Sequence, residues 1–207
     1  MNPRLALALT LAGVVSLAGI VIGAVGMTRE RAPQPVSSPA GQRFEGAIMP
    51  AGVRAPDFEL SDQDGDPISM RSFRGRPAIV TFLYTDCDDS CPPQAQQVKA
   101  ALDQLDEDVP ALAVAVEPSR DTPRSARRFL AEQGMVGRMD FVLGTRAQLA
   151  PVWKGFAIQP QLPDAEHQAR IALVDARGFQ RVGFPLTQAT PDAIAHDVRE
   201  LARESRG

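Results

Sequence analysis

The C-terminal three quarters of the chain alternates short apolar runs with segments that are apolar on one side only. The apolar runs are rich in β-branched residues, which is typical of strands buried in a parallel or mixed sheet; they are residues 78–83, 111–116, 141–143, 171–174 and 182–184. Apolar residues at helical spacing predict helices between and after them; two are at residues 94–105 and 147–156, and two begin at residues 123 and 191.

Start signals support two of these helices. Thr122 and Thr190 are each followed by a proline, and threonine before proline is a typical N-cap and first helical position. A turn at residues 175–178 joins the last two strands into a hairpin. The predicted order is β-α-β-α-β-α-β-β-α, with a further small hairpin over residues 55–70. We therefore expect an α/β domain with a central mixed sheet that helices cover on both faces.

The N-terminal segment has a different pattern. Residues 5–27 form an uncharged run that follows Arg4 and precedes Arg29. A helix of this length would rise about 35 Å, enough to cross the hydrocarbon core of a membrane. The run is longer than the apolar part of a cleaved signal peptide, and no clear A-x-A cleavage site follows it. We therefore predict an uncleaved transmembrane anchor over residues 1–27, with a removed signal sequence as the alternative.

Composition divides the rest of the chain. Residues 28–52 are rich in Pro, Gly, Ser and Ala without helical or strand periodicity, which predicts a flexible linker. Residues 53–207 then form one domain of about 155 residues, large enough for a core of its own. The net charge of −3 offers no electrostatic basis for binding nucleic acid.

The chemistry concentrates at the only two cysteines, Cys87 and Cys91, in the string TFLYTDCDDSCPPQ. A strand leading into the first turn of a helix lets residues four apart bring both sulfurs to one point. Two readings stay open: a soft-metal site completed by another ligand, or a dithiol that cycles to a disulfide. A purely structural disulfide would close a very small loop and gain little entropy.

Ligand counts exclude several metal centres. Structural zinc sites normally take four protein ligands, iron–sulfur clusters generally need four, and c-type haem needs C-x-x-C-H. Thiolate and imidazole ligands suit copper. The acidic residues around the cysteines would disfavour a thiolate in the metal-free protein and favour a bound cation; they are Asp86, Asp88 and Asp89.

Three blocks of sequence resemble the Sco/SenC family of copper-binding cytochrome c oxidase assembly proteins, which have a thioredoxin-like fold. The first is FLYTDCDDSCP with Cys87 and Cys91, and the second is EPSRDTP at residues 117–123. The third is His167 in HQARIALVDARG. The blocks depart from the family pattern at Glu117, where Asp is usual, and at Gln168, where a small hydroxyl residue is usual.

The resemblance implies a membrane-tethered protein that binds one copper ion, Cu(I) and in some states Cu(II), through Cys87, Cys91 and His167. It would deliver copper to, or keep reduced, the copper site of a cytochrome c oxidase subunit, with no catalytic turnover required. The domain would lie on the periplasmic side of the inner membrane. The other histidine, His196, falls on the polar side of the last helix, and we expect it not to be a ligand.

Two other functions remain open. A thiol–disulfide oxidoreductase would use the Cys87/Cys91 pair as a redox disulfide, although such enzymes usually space their cysteines as C-x-x-C at a helix start. A copper-dependent redox sensor would use the same three ligands as a metallochaperone. His167 discriminates between these classes, because a dithiol reductase does not need it.

Overall fold

The structure is a computed structural model that describes residues 43–160 and 169–206. In chain order its strands and helices are β1 (Ala47–Ile48), β2 (Glu59–Ser61), β3 (Pro67–Ser69), β4 (Ala78–Leu83), α1 (Cys91–Leu102), β5 (Ala111–Ala115), α2 (Pro123–Glu132), β6 (Asp140–Val142), α3 (Arg146–Gly155), β7 (Arg170–Val174), β8 (Gln180–Pro185) and α4 (Pro191–Arg206). Short 3₁₀ turns occupy Met70–Phe73 and Leu186–Gln188.

The central sheet is mixed. Its strand order is β1-β8-β7-β4-β5-β6, with β4, β5 and β6 parallel to one another and the other neighbours antiparallel. Every residue of β4 and of β5 is buried. A strand that is buried at every position is covered on both faces of its sheet, as parallel strands usually are. The expected mixed sheet between helices is therefore confirmed.

The two helix N-caps predicted from the sequence are also present. Thr122 Oγ1 accepts a hydrogen bond from the Ser125 N–H at 3.2 Å, and Ser125 Oγ accepts the Thr122 N–H at 2.9 Å, which makes a reciprocal capping box. Thr190 Oγ1 accepts the Ala193 N–H at 3.2 Å. Both prolines that follow these threonines begin their helices, as predicted.

Helix α1 differs from its prediction at both ends. It was expected over residues 94–105 and spans Cys91–Leu102. Leu105 packs against the core from a tight turn after the helix, where its N–H bonds to the Leu102 carbonyl at 3.2 Å. Leu105 continues the helical spacing of apolar residues in the sequence, which is why the helix was predicted to extend as far as residue 105. The helix starts earlier because proline is well tolerated in a first turn, and Pro92 and Pro93 occupy that turn.

Two hairpins were predicted and both are present. Strands β2 and β3 pair as a separate two-stranded sheet. Strands β7 and β8 join through a turn in which the Gly178 N–H bonds to the Asp175 carbonyl at 2.8 Å. Gly178 has φ +80°, a conformation that glycine adopts without steric cost.

The N-terminal side of the domain differs from expectation. The predicted linker covered residues 28–52, yet its described part, residues 43–52, contains strand β1 and the buried Phe44. The Glu45 and Gly46 N–H groups bond to the carboxylate of Asp197 in α4, at 2.8 and 2.9 Å. Linker composition hid these contacts because a single aromatic residue and backbone groups, which carry no periodic pattern, make them.

The predicted anchor over residues 1–27 and the first part of the linker lie outside the described residues. Within residues 43–160 and 169–206, no helix is both long enough and apolar enough to span a bilayer.

Candidate metal and thiol site

The two cysteines meet at the N-terminus of helix α1. Cys87 lies in the loop after β4, and Cys91 is the first residue of the helix. The Cys91 N–H donates to Cys87 Sγ at 3.2 Å, and Ser90 Oγ lies 3.7 Å from the same sulfur. Both cysteines are free thiols. The predicted approach of the two side chains is therefore observed, and Cys87 Sγ takes the position of a helix cap.

The helix start is built around this contact. A helix leaves the N–H groups of its first turn without internal partners. Pro92 and Pro93 have no N–H, so Cys91 is the only one of the first three helical residues with an N–H that requires an acceptor. Ser90 at the N-cap makes no side-chain cap bond. The sulfur of Cys87 supplies the acceptor.

These contacts shift the pKa values of the two cysteines in opposite directions. Hydrogen bonds from Cys91, first its thiol and then its N–H, lower the pKa of Cys87 below its usual value, and Tyr84 and Ser90 add to the effect. The bond to Cys87 and burial raise the pKa of Cys91 well above its usual value. Cys91 is 0% exposed and Cys87 is 6% exposed. In the reduced site Cys87 therefore ionises well before Cys91, and the expectation that the neighbouring acidic residues disfavour a thiolate is wrong for Cys87, because hydrogen bonds to its sulfur outweigh them.

Asp121 supports the loop that leads to Cys87. Its buried carboxylate accepts the Thr85 N–H at 2.8 Å and the Glu117 N–H at 3.0 Å. Burial raises the pKa of Asp121 to about 6. One carboxylate thereby joins the loop after β4 to the loop after β5, whose strands are parallel neighbours and end at the same edge of the sheet.

The rim of the site is acidic and exposed. Asp86 forms an ion pair with Arg120, and both side chains are more than half exposed. Asp88 and Asp89 are exposed between the two cysteines. Charges in this position face solvent, and each exposed pair contributes little to stability.

The third expected ligand, His167, lies outside the described residues. Within the described part of the chain, no three side chains of His, Cys, Asp or Glu come together as a metal-binding group. His196 is on α4, where its Nδ1 lies 2.9 Å from Asp197 Oδ1. The structure thus brings two of the three expected ligands together and does not test the third.

Sequence reasoning missed three parts of this site. Asp121 was noted only as part of the EPSRDTP block, whereas its carboxylate accepts hydrogen bonds from two loops. The contacts of Tyr84 and Ser90 with Cys87 carried no sequence signal beyond proximity. Gln94, on α1 one turn after Cys91, is completely buried. A polar residue on the apolar side of a predicted helix was the available sign.

Two adjacent sulfurs, one of them a thiolate, permit two kinds of chemistry. Soft thiolate ligands suit Cu(I), which tolerates a low coordination number. A cysteine with a lowered pKa beside a second thiol also has the pairing that thiol–disulfide exchange uses.

Comparison with known proteins decides the family. The family model described as SCO1/SenC matches residues 49–203, which is well over half of the chain. The chain belongs to the SCO1/SenC family. The matched range includes both cysteines and His167.

Individual SCO1/SenC relatives agree. The SCO1 protein homolog of Bacillus subtilis is 26% identical over 164 residues, which cover 74% of this chain and 85% of that protein. The structure of Bradyrhizobium japonicum ScoI with copper bound has a TM-score of 0.58 at 27% identity and covers 72% of this chain and 99% of that one. BsSco, a Sco cytochrome c oxidase assembly protein with a disulfide switch, has a TM-score of 0.66 at 24% identity, over 76% and 98% of the two chains.

Proposed function

We propose that the protein binds one copper ion through Cys87, Cys91 and His167 and delivers it to, or keeps reduced, the copper site of cytochrome c oxidase during assembly. The observation that carries this proposal is the hydrogen bond from the Cys91 N–H to Cys87 Sγ, which holds both sulfurs at the head of one helix. A site built in this way presents two soft ligands without any rearrangement of the backbone, which suits Cu(I).

The relatives support the choice of metal. Bradyrhizobium japonicum ScoI has been solved with copper bound, and BsSco belongs to a family of cytochrome c oxidase assembly proteins. The donor set of this chain fits the same metal, because its two sulfurs and one imidazole suit copper and fall one ligand short of a structural zinc site.

The arrangement also suits transfer of the metal as cargo. Of the two cysteines, Cys87 is the less completely buried, 6% exposed against 0% for Cys91, so an incoming ligand of the partner would reach the site from the side of Cys87. Low coordination lets the partner displace one ligand at a time. Residues 5–27 would anchor the chain in the inner membrane, and the linker would let the periplasmic domain reach a membrane-embedded partner.

The test is a Cu(I) competition titration of the reduced chain with a chromophoric chelator. We expect the wild type to bind one equivalent tightly, Cys87→Ser and Cys91→Ser to lose tight binding, and His167→Ala to weaken it. His196→Ala is the matched control and should bind as the wild type does. Stoichiometric tight binding by either cysteine variant would contradict the site.

A thiol–disulfide oxidoreductase is the second candidate function. The difference in pKa between Cys87 and Cys91 favours it. The Cys87 thiolate attacks one sulfur of a partner disulfide, which breaks the partner's S–S bond, releases one partner thiolate and leaves a mixed disulfide with Cys87. Cys91, once deprotonated, then attacks the Cys87 sulfur, releases the second partner thiolate and closes the Cys87–Cys91 disulfide. This function does not use His167. The test substrate is a disulfide-bonded peptide of the copper-bearing subunit. The oxidoreductase would be favoured if His167→Ala reduces this peptide at the wild-type rate and if both the wild type and His167→Ala bind Cu(I) weakly.

A further inference from the structure

The first residue of β7, Arg170, carries a half-buried guanidinium group with weak partners. Its Nη1 donates to the Phe156 carbonyl at 3.4 Å, and its Nη2 lies 3.0 Å from the thioether sulfur of Met49. A thioether is only a weak acceptor. Burial lowers the pKa of Arg170, and among the described residues no carboxylate offsets this effect. The guanidinium thus has donors that its surroundings use poorly.

The sheet brings Met49 and Arg170 to one face, on either side of strand β8. Gly183 of β8 pairs with Ala47 of β1 on one side and with Ala172 of β7 on the other. Residues opposite each other, and residues two apart along a strand, share a face of the sheet. The side chains of Met49 and Arg170 therefore lie on the face of position 183, and Arg170 reaches Met49 across that position.

Gly183 makes this reach possible. A Cβ atom at position 183 would lie 2.8 Å from Arg170 Nη2 and 3.2 Å from its Nε, so a side chain there would displace the guanidinium. The backbone does not require a glycine, because Gly183 is not among the residues with positive φ. Glycine weakens the interior of a strand and often marks a close approach by another group. Here that group is the guanidinium that contacts Met49.

Met49 is also the methionine that solvent reaches. Within residues 43–160 and 169–206 the other methionines are buried, with exposed fractions of 2% for Met70, 0% for Met135 and 2% for Met139. The side chain of Met49 is partly exposed. Oxidation converts a methionine thioether to a sulfoxide, and methionine sulfoxide reductases reverse the reaction. Among these four thioethers, a hydroperoxide reaches that of Met49 most easily.

We infer that Met49 is a site of reversible oxidation and that Arg170 binds the sulfoxide oxygen. The Met49 sulfur attacks the terminal oxygen of a hydroperoxide. The S–O bond forms as the O–O bond breaks, and the proton of that oxygen moves to the departing oxygen, which leaves as water or an alcohol. The thioether is oxidised and the hydroperoxide is reduced. The new oxygen is a strong acceptor beside a charged donor, and such hydrogen bonds are the stronger ones.

The contact with Arg170 reverses the usual effect of oxidation on stability. A sulfoxide normally disrupts a packed methionine, because it makes an apolar side chain polar. At position 49 the side chain is partly exposed and loses little packing, whereas its oxygen gains a guanidinium donor. Oxidation therefore strengthens the connection between the end of β1 and the beginning of β7. This role requires no metal and does not depend on the proposed function.

The first test maps oxidation by dilute hydrogen peroxide. The full chain carries Cys87→Ser and Cys91→Ser, so that thiols consume no peroxide, and peptide mass spectrometry follows each methionine over time. We expect Met49 to be oxidised about tenfold faster than the three buried methionines, because a buried side chain reacts only when the structure opens locally. Similar rates for all four would overturn the assignment of Met49.

The second test compares thermal unfolding of the same chain before and after stoichiometric oxidation of Met49. We expect the unfolding temperature to rise by about 3 °C on oxidation. In the Arg170→Leu background it should fall instead, because the oxygen has no charged donor. Gly183→Ala keeps both side chains but displaces the guanidinium, so oxidation should not stabilise this variant either. It carries the test if Arg170→Leu does not fold.

Met49→Leu is the matched control, because it keeps an apolar side chain that peroxide does not oxidise. The same treatment should leave its unfolding temperature unchanged, which excludes an effect of oxidation elsewhere. An unchanged or lower unfolding temperature after oxidation of Met49 in the parent chain would overturn the inference. A rise that persists in Arg170→Leu or in Gly183→Ala would show that Arg170 does not bind the oxygen.

Discussion

At the scale of single residues, the site depends on donors directed at one sulfur. Cys87 Sγ receives the Cys91 N–H and lies close to Ser90 Oγ, whereas Cys91 is enclosed. Two cysteines of identical chemistry thereby acquire different roles. The difference comes from the helix start, where the N-terminal end of the helix also favours negative charge.

The difference in pKa between the two cysteines predicts that alkylation is selective for Cys87. In the reduced native chain, iodoacetamide should modify Cys87 well before Cys91, because only the lowered pKa of Cys87 leaves a thiolate at neutral pH. As the pH falls from 8 to 6, the Cys87 rate should decline less than that of an ordinary thiol, whose pKa is about 8.5. Peptide mass mapping over time measures both rates. In urea the two cysteines should react alike, and equal rates in the native chain would contradict the assignment.

The raised pKa of Asp121 predicts that the stability of the folded chain depends on pH. Burial raises its pKa from 3.8 to about 6, so the folded chain binds this proton more tightly than the unfolded chain does. The stabilising contribution is complete below about pH 4 and is lost as the pH rises through 6. At about 1.4 kcal/mol per pKa unit, the loss is about 3 kcal/mol.

Urea unfolding of the wild type and Asp121→Asn between pH 4 and 7 checks this. The free energy of unfolding of the wild type should fall relative to that of the variant over this range, because the variant cannot titrate at this position. A constant difference between the two curves would show that the carboxyl keeps its ordinary pKa.

At the scale of elements, the helix caps were the most reliable signals. Thr122 and Thr190 were identified from the threonine–proline pairs, and both cap in the structure. Such signals are reliable because cap and capped N–H groups are two or three residues apart, so local geometry alone decides the contact. The end of α1 was wrong for the complementary reason, since Leu105 is partly buried by residues from elsewhere in the chain.

The capping box at α2 predicts a stability effect without a change in metal binding. Thr122→Ala should lower the free energy of unfolding by about 1 kcal/mol, because the Ser125 N–H loses its acceptor. Denaturant unfolding measures the loss, and Cu(I) titration should show unchanged affinity. Thr122→Ser keeps the hydroxyl and is the matched control. Equal loss in both variants would mean that the methyl group, and not the cap, stabilises the helix start.

At the scale of the whole molecule, the N-terminal boundary of the domain depends on contacts across the fold. Phe44 is 5% exposed, and the fully buried Asp197 has the Glu45 and Gly46 N–H groups as donors. Removal of this segment would uncover core surface and leave a buried carboxylate without those donors.

We therefore expect a chain that begins at residue 53 to be less stable than one that begins at residue 43, by about 3 kcal/mol or more. Urea unfolding of the two metal-free chains gives the difference. Phe44→Ala in the longer chain separates the two contributions, because it removes the aromatic ring and keeps the backbone donors. Equal unfolding midpoints for the two chains would show that the domain begins at residue 53.

The sequence alone determined the order of strands and helices from β2 onward, both hairpins, two helix caps and the meeting of Cys87 and Cys91. Each of these depends on residues a few positions apart, or on a periodicity of burial that repeats every two or 3.6 residues. Local geometry connects such residues whatever the rest of the chain does.

Only the tertiary structure decided which distant groups meet. It placed β1 beside β8, Asp121 between two loops, and the Gln94 amide on the Arg170 carbonyl. None of these pairs has a sequence signal, because each polar group finds its partner across the packed core and a buried donor or acceptor accepts almost any partner of the right chemistry. The spacing of the two cysteines was local, whereas the framework that holds them was not.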